Sequence, residues 1–231
     1  MVNGPAINHF FTVTAAAQAE AESAKPFHGR VILLALLDAI SHAAHPSISG
    51  NRARFVAFID EYCQWLLSAS YSLRQLALIL SEPSAPSSSP GFQGLHGEVA
   101  SRMQTFPAPG KLVFANEVDP PSHELKSFLT PQLAKYIEPV RYPSLLWSLR
   151  NSAIHELREP GAGFDFELKQ PSPCYHTLTH NNLVTQTWEL YFPTELLSSL
   201  LSNGAANLRQ RLERDDVDPW AAFPFDPRWY R

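Results

Sequence analysis

The sequence has 231 residues, a length that favours one domain over two. Charged residues make up only 17% of it, against roughly 25% in an average soluble domain, while hydrophobic residues make up 45% and supply a sizeable core. The net charge of -4 argues against a protein that coats nucleic acid by bulk electrostatics, and two cysteines are too few for a disulfide-dense secreted scaffold. With so few charges, we expect some neutral surface to be covered by oligomerisation.

The N-terminal residues MVNGPAINHFF contain no basic leader followed by an apolar stretch, which favours a cytoplasmic protein. The longest apolar run begins at Val31 and is interrupted by Asp38 after seven residues, well short of the roughly 20 that span a bilayer. No membrane segment is therefore expected.

The first predicted elements are two helices. The segment 26–45 is apolar nearly all round its middle, as expected of a helix at the centre of a core. In the segment 51–69, Asn51 is suited to an N-cap and apolar side chains recur at helical spacing. These side chains are Phe55, Phe58, Ile59, Tyr62 and Leu66.

The middle of the chain alternates short helices with proline-rich segments. Helices are predicted over 71–81 and 95–105, separated by the Pro/Ser/Gly-rich residues 82–94, which cannot bury enough apolar surface to become ordered. We therefore expect 82–94 to be a flexible loop. A short strand is predicted at KLVF, residues 111–114, between two proline-containing turns.

Proline positions delimit the next helices. Ser122 is suited to cap a short helix, Pro131 to open another, and Pro143 to stand at the first position of a longer helix over 143–158. Pro160 and the glycine after it are expected to end this longer helix.

The remaining predicted elements are a hairpin and a final helix. The segments GFDFELKQ and CYHTLTHNNLVTQTWELYF are predicted to be strands, with a turn at Asn181 and Asn182, and residues 193–215 are predicted to be helical. Residues 217–231 are aromatic and proline-rich and are expected to lie irregularly across the bundle. The sequence thus predicts one domain over 1–231, mainly α, an antiparallel helical bundle with a small β-hairpin before the C-terminal helix.

The helix predicted over 143–158 has an unusual polar face. At about 100° per residue, one face is apolar and the opposite face carries small or uncharged side chains. The apolar face consists of Leu145, Leu146, Leu149, Ala153 and Leu157, and the polar face of Ser144, Ser148, Asn151, Ser152 and His155. A solvated face would normally carry Glu, Lys or Arg, so we expect a partner or a small ligand to pack closely here.

Three residues of this helix, Arg150, Asn151 and His155, stand in the order R-N-x-x-x-H. Together with the hairpin and helix that follow, the motif LRNSAIHE resembles the HEPN (higher eukaryotes and prokaryotes nucleotide-binding) superfamily, whose helical domains carry an Arg, a polar residue and a His in R-x4–6-H. One departure is Glu156, where many members have glycine. An acidic neighbour would raise the pKa of the histidine or repel a phosphate.

The resemblance implies a homodimer whose two motif helices form a composite, metal-independent ribonuclease site that needs no cofactor. It implies that Arg150, Asn151 and His155 are the catalytic residues and that RNA cleavage leaves a 2′,3′-cyclic phosphate. It also implies a toxin or an antiphage or stress effector, with an antitoxin or a nucleotidyltransferase-like protein as a partner. The alternative is a non-catalytic HEPN-like module that uses the same helix for dimerisation or partner binding.

The chemistry of these residue types agrees with such roles. His155 is suited to general acid–base catalysis on a ribose 2′-OH, and Arg150 to holding the phosphate and the charge of its transition state. Asn151 would orient the histidine or the scissile group. Alternatively, Arg150 pairs with a carboxylate such as Glu138, and His155 only packs.

Two groups of residues suggest a metal site, and with it a lower-ranked alternative, a metal-dependent hydrolase. Cys174, His176 and His180 form C-x-H-x3-H, but a strand that rises about 3.3 Å per residue spreads the outer two too far to share one ion easily. His42 and His45 stand at helical spacing, although histidine is also favoured at a helix C-terminus for its dipole.

Charged residues elsewhere have ordinary explanations. Asp38 is expected to be a hydrogen-bonded core carboxylate or, if it reaches Arg150, the residue that orients the arginine. Arg209, Arg211 and Arg214 form a modest basic edge suited to RNA, but the acidic residues among them favour a solvated helix face. The chain contains no phosphate-binding G-x-x-x-x-G-K-[ST], no G-x-S-x-G and no paired C-x-x-C.

Overall fold

The computed structural model describes residues 2–107, 110–158, 160, 170–179 and 186–223. In these ranges the chain is mainly helical, with a small antiparallel sheet. The helices are α1 (Gly4–Ser23), α2 (Pro26–Ala44), α3 (Asn51–Tyr62), α4 (Leu73–Leu80), α5 (Phe92–Met103), α6 (Ala115–Val118), α7 (Ser122–Leu125), α8 (Pro131–Ile137), α9 (Tyr142–His155) and α10 (Thr194–Asp215).

The sheet of the described residues has three strands. They are β1 (Val113–Phe114), β2 (Cys174–Thr179) and β3 (Gln186–Tyr191), and they pair in the order β1-β2-β3. In the register of the sheet, Tyr175 of β2 stands between Val113 of β1 and Leu190 of β3. Among the described strands β3 pairs with β2, and its other edge lies against α4.

The central helix of the bundle is α2, which packs against α1, α3, α9 and α10. Its length and composition would allow it to cross a membrane, but half of its most apolar window is buried inside the fold. It also carries Arg30 and Asp38, which bond to Tyr191 and Arg150 on other elements. Its packing against four helices and its bonds to other elements are the features of a core helix.

The apolar core has two parts. The larger part joins α1, α2, α3, α9 and α10 with the sheet, and the smaller joins α4, α5, α7 and α8. Phe106 contacts both parts. Val140 belongs to the smaller part and Tyr142 to the larger, so α9 begins where the two meet.

Most of the predicted elements are confirmed. Helix α2 ends one residue before the predicted boundary, and Pro131 opens α8 with Thr130 as its cap. Of the strand predicted at KLVF, the last two residues form β1. The two strands of the hairpin and the final helix are β2, β3 and α10. The predicted strand at 163–170 and the turn at Asn181 and Asn182 lie outside the described residues, apart from residue 170.

The helix predicted over 51–69 is shorter than expected. Gly50, and not Asn51, is the N-cap of α3, which ends at Tyr62, and Leu66 is 96% exposed instead of buried. The physical reason lies on α10, where Asn207 donates a side-chain hydrogen bond of 2.7 Å to the carbonyl of Tyr62. This bond satisfies a carbonyl that another helical turn would have used.

The helix predicted over 143–158 is also shorter. It begins at Tyr142 and ends at His155, and Leu157, placed on the apolar face by its spacing, has a φ of 52° and is 73% exposed. The backbone N–H groups of Glu156 and Arg158 both bond to the carbonyl of Ser152, which closes the helix one turn early. His155 therefore lies at the C-terminal end of α9.

Three further segments differ from expectation. Helix α1 was not predicted, and α5 begins at Phe92, inside the segment 82–94, whose flexibility stays a prediction. The described part of the tail is less irregular than predicted, because residues 219–222 form a 3-10 turn that packs on α1 and α2.

Candidate functional site

Helix α9 is anchored at its N-terminus and carries the motif residues in its last two turns. Tyr142 is fully buried and donates a hydrogen bond to Asp119, and Pro143 lies in the first turn, where its missing N–H costs nothing. Leu146, Leu149 and Ala153 pack into the larger core. This fixes the rotation of the helix and hence the directions in which Arg150 and His155 leave it.

The guanidinium of Arg150 is the centre of the candidate site. Its Nη1 donates to Asn151 Oδ1 at 3.1 Å and to His155 Nε2 at 2.9 Å, and its Nη2 donates to Asp38 Oδ2 at 2.6 Å. It also lies 5.0 Å over the ring of Trp147, a cation–π contact. The side chain is only 13% exposed, and its Nε has no hydrogen-bond acceptor among the described residues.

His155 is exposed to solvent at the end of α9. Because arginine can only donate, Nε2 of His155 must accept from Arg150, which places the proton of the neutral imidazole on Nδ1. The sequence-predicted residues Arg150, Asn151 and His155 are thus brought together by direct side-chain contacts.

Asp38 reaches the site from α2, 112 residues earlier in the chain, and is 22% exposed. It is therefore both a core carboxylate and the group that orients Arg150, so the two sequence-based interpretations of Asp38 describe one interaction. Arg150 therefore does pair with a carboxylate, but the partner is Asp38 and not Glu138, the example that the sequence suggested. Glu138 pairs with Arg52 and accepts a hydrogen bond from Ser144.

The pKa of Glu138 is set by its contacts with Arg52 and Ser144. Burial raises the pKa of the carboxyl, but hydrogen bonds from Ser144 and Arg52 and the charges of Arg52 and Arg141 outweigh burial and lower it. The Arg52–Glu138 pair covers the start of α9 and has no contact with Arg150.

The serine-lined face of α9 is less open than the sequence indicates. Ser144 is buried under the Arg52–Glu138 pair, and the hydroxyl of Ser148 donates to the carbonyl of Ser144 at 3.1 Å. Ser148 is nevertheless exposed, and Ser152 is half-buried beside Asn151 and His155. The absence of charge at Ser144 is therefore explained by packing within the chain and needs no partner.

The histidine and cysteine candidates for a metal site are dispersed. His42 packs against the ring of Phe223, and His45 lies 3.7 Å from Glu61. Cys174 is buried, which raises the pKa of its thiol to about 11, and His180 lies outside the described residues. Within the described ranges, no group of three His, Cys, Asp or Glu side chains could hold a metal ion.

The basic edge of α10 is neutralised by its neighbours. Arg209 pairs with Glu213, Arg214 pairs with Asp215, and Arg211 donates to the hydroxyl of Tyr62 at 2.6 Å. These contacts match the expectation of a solvated helix face.

A buried network around Asp119 was missed by sequence reasoning. The Asp119 carboxylate accepts hydrogen bonds from the hydroxyls of Tyr142 and Tyr175 and from the backbone N–H of Leu73, and Tyr175 also meets Ser72 at 2.8 Å. Burial raises the pKa of Asp119 to about 7 despite these donors. Its members are 23 to 56 residues from Asp119 in sequence, so no local spacing could have indicated it.

Comparisons with protein-family models, with curated proteins and with solved structures gave no match to this chain.

Proposed function

We propose that the protein is a metal-independent endoribonuclease whose catalytic residues are Arg150, Asn151 and His155. The observation that supports this most is the position of Arg150 Nη1, which donates to both Asn151 and His155 while Asp38 holds Nη2. The motif thus combines a cation for a phosphate with an exposed imidazole for proton transfer. Cleavage by a ribose 2′-OH requires these two roles.

In the proposed reaction, a phosphate oxygen replaces His155 as the acceptor of Arg150 Nη1. The lone pair of His155 Nε2 is then free to take the proton of the adjacent 2′-OH. The 2′-oxygen attacks phosphorus, Arg150 stabilises the added negative charge, and the P–O5′ bond breaks. The imidazolium returns the proton to the leaving 5′-oxygen, so the products are a 2′,3′-cyclic phosphate and a 5′-hydroxyl.

We further propose that two copies pair through the last turn of α9 and bring two such clusters together. The support is the apolar, exposed Leu157, which lies two residues beyond the end of α9 at His155. The variant Leu157→Glu is expected to be monomeric by light scattering while the parent protein is dimeric. A monomeric parent protein would contradict the pairing.

The proposed activity is tested with purified protein and single-stranded RNA in EDTA. Arg150→Ala and His155→Ala are each expected to reduce the cleavage rate by about 100-fold or more, and the product should carry a cyclic phosphate. Matched controls are Arg102→Ala and His96→Ala on α5, which are expected to cleave like the parent protein. Undiminished cleavage by both site variants would show that the assignment is wrong.

A non-catalytic HEPN-like module is the second candidate, and one observation favours it. The charge of Arg150 is already balanced by Asp38 at 2.6 Å inside a largely buried pair. In that case α9 would serve only to contact a second copy, an antitoxin or a nucleotidyltransferase-like protein. A parent protein that dimerises but cleaves no RNA would support this candidate.

A further inference from the structure

A cavity of about 570 Å³ lies between α4, α9 and β3, which we call the β3 pocket. Its walls include Arg74 and Gln75 from α4, Ser148 from α9, and Trp188 and Leu190 from β3. Its volume falls in the range of small-molecule sites, roughly 300–1,000 Å³. The mechanism proposed above does not use it.

One wall of the β3 pocket is the edge of β3 that pairs with no other strand of the described residues. Arg74 Nε donates to the backbone carbonyl of Trp188 at 3.2 Å, so the backbone groups of Trp188 face α4 and not β2. Backbone groups of an antiparallel strand change direction at every residue, and those of Leu190 therefore face the pocket as well. Leu190 thus offers one N–H donor and one C=O acceptor side by side.

The other walls combine flat apolar surface with a few polar side chains. Trp188 and Phe192 are aromatic, Leu145 and Leu149 are aliphatic, and Gln75 joins Arg74 at the rim. A nucleobase has a π face for such walls and adjacent donors and acceptors on its Watson–Crick edge. The chemistry of the β3 pocket therefore matches an unstacked base better than an aliphatic ligand, which would leave the backbone of Leu190 unpaired.

The β3 pocket also lies at a suitable distance from the candidate site. Ser148, in its wall, precedes His155 by seven residues, which is two turns and about 10 Å along the same face of α9. A stacked nucleic-acid strand rises by roughly 3.4 Å per nucleotide when it has the geometry of B-DNA, so about 10 Å corresponds to roughly three nucleotides. A strand whose scissile phosphate meets Arg150 and His155 would bring a base two or three nucleotides away to this pocket.

We infer that the β3 pocket binds one unstacked base of the RNA substrate, two or three nucleotides from the phosphate held by Arg150. This inference rests on the proposed function, and it adds a position at which the sequence of the RNA is read. The bound base holds the strand in register with His155, so cleavage sites share a preferred base at that position.

The test uses binding as well as cleavage, so that the two proposals can fail separately. Full-length His155→Ala protein is titrated by fluorescence anisotropy with a short single-stranded RNA and with versions that carry one abasic nucleotide at each position in turn. One abasic position is expected to weaken binding by roughly tenfold, the scale of one lost base stack. In Ser148→Phe protein, whose larger side chain fills the pocket, that position should no longer matter.

Arg74→Ala provides a second variant that removes the pocket rim without adding bulk, with Arg102→Ala as the matched control. If the parent protein cleaves RNA, sequencing of the cut ends should show a base preference two or three nucleotides from the cut that Arg74→Ala weakens. If the protein cleaves RNA but an abasic nucleotide has the same effect at every position, base binding in the β3 pocket is contradicted and the proposed nuclease activity is not. A pocket-dependent abasic position without cleavage would support the pocket and refute the nuclease.

Discussion

Arg150 is held from two directions, by its own helix through Asn151 and His155 and by α2 through Asp38. An isolated arginine at a helix end samples many rotamers, and fixing it costs about 2 kcal/mol of side-chain entropy. In this chain the contacts of Arg150 already restrict its rotamers, so the binding of a ligand does not cause this loss of entropy. Asp38 is therefore a positioning residue, and its ion pair should affect both stability and cleavage.

We predict that Asp38→Asn lowers the free energy of unfolding by about 2 kcal/mol, because it leaves a largely buried guanidinium without its counter-charge. Cleavage should fall by about tenfold, less than in Arg150→Ala. In denaturant titrations the double variant Asp38→Asn/Arg150→Ala should be destabilised by less than the sum of the two single variants, because each single variant removes the same ion pair.

Asp60→Asn is the matched control for this prediction. Asp60 pairs with Arg141 at 2.8 Å, away from the candidate site, so its loss should affect stability without affecting cleavage. Additive effects of Asp38→Asn and Arg150→Ala on stability would show that the two side chains do not act together.

At the scale of elements, α10 and α3 approach each other closely at Gly204. A Cβ at this position would lie 2.5 Å from Cζ of Phe58 and 3.0 Å from Sγ of Cys63. Both contacts belong to fully buried side chains, which cannot move aside. The glycine therefore sets the spacing of two helices in the larger core.

We predict that Gly204→Ala destabilises the protein by about 1–3 kcal/mol, the usual cost of overpacking. Gly97→Ala in α5 is the control, because nothing lies within 4 Å of the added Cβ. There the higher helix propensity of alanine should stabilise the protein by roughly 0.5–1 kcal/mol. Thermal melts of the two variants should thus shift in opposite directions, and a melt of Gly204→Ala at or above that of the parent protein would contradict the close packing.

The elements that sequence reasoning found are those with local signals. Helix α2 has an uninterrupted apolar middle, α8 has a proline at its start, and β2 and β3 are rich in aromatic and β-branched residues. Helix α1 has a local signal that the prediction did not use, since it is rich in alanine, the best helix former, and in the fold it packs on α2 and α10. The premature ends of α3 and α9 depend on partners that spacing does not reveal.

The candidate site was predictable because its three residues lie within six positions of one helix. Their mutual contacts follow from helical geometry, whereas the Asp38 contact depends on how α2 packs against α9. The sequence alone therefore predicts a role for Asp38 in orienting Arg150 only if the two side chains meet in the fold. Nothing in the chain order indicates that residues 187–192 form one wall of a cavity beside Ser148, so the β3 pocket became visible only in the fold.

At the scale of the whole molecule, Asp119 joins the two parts of the core. It bonds to the first residue of α4 in the smaller part and to Tyr142 and Tyr175 in the larger part. Burial raises the pKa of Asp119 to about 7, against 3.8 for an ordinary aspartate, because desolvation of the carboxylate outweighs three hydrogen bonds. The connection between the two parts therefore depends on pH.

We predict that the free energy of unfolding contributed by Asp119 decreases as the pH rises from about 4 to about 7. In that window the native state keeps a proton on Asp119 that the unfolded chain has released, so folding binds a proton and becomes less favourable as protons become scarce. The full contribution is present below about pH 4, is lost by about pH 7, and amounts to at most about 4 kcal/mol. Half-buried histidines with lowered pKa values, such as His45 and His176, give the opposite slope.

Asp119→Asn separates the pH-dependent contribution of Asp119 to stability from that of the histidines, because the histidines are present in both the parent protein and the variant. Urea titrations at several values between pH 4 and pH 7 should show that the parent protein loses stability relative to the variant as the pH rises. The carbonyl oxygen of Asn can accept from the N–H of Leu73 and from Tyr175, and its NH2 can donate to the hydroxyl oxygen of Tyr142, so the variant is expected to fold. A difference in stability that stays constant over this range would mean that Asp119 is ionised throughout it, and the two parts of the core would then be joined by a carboxylate rather than by a carboxylic acid.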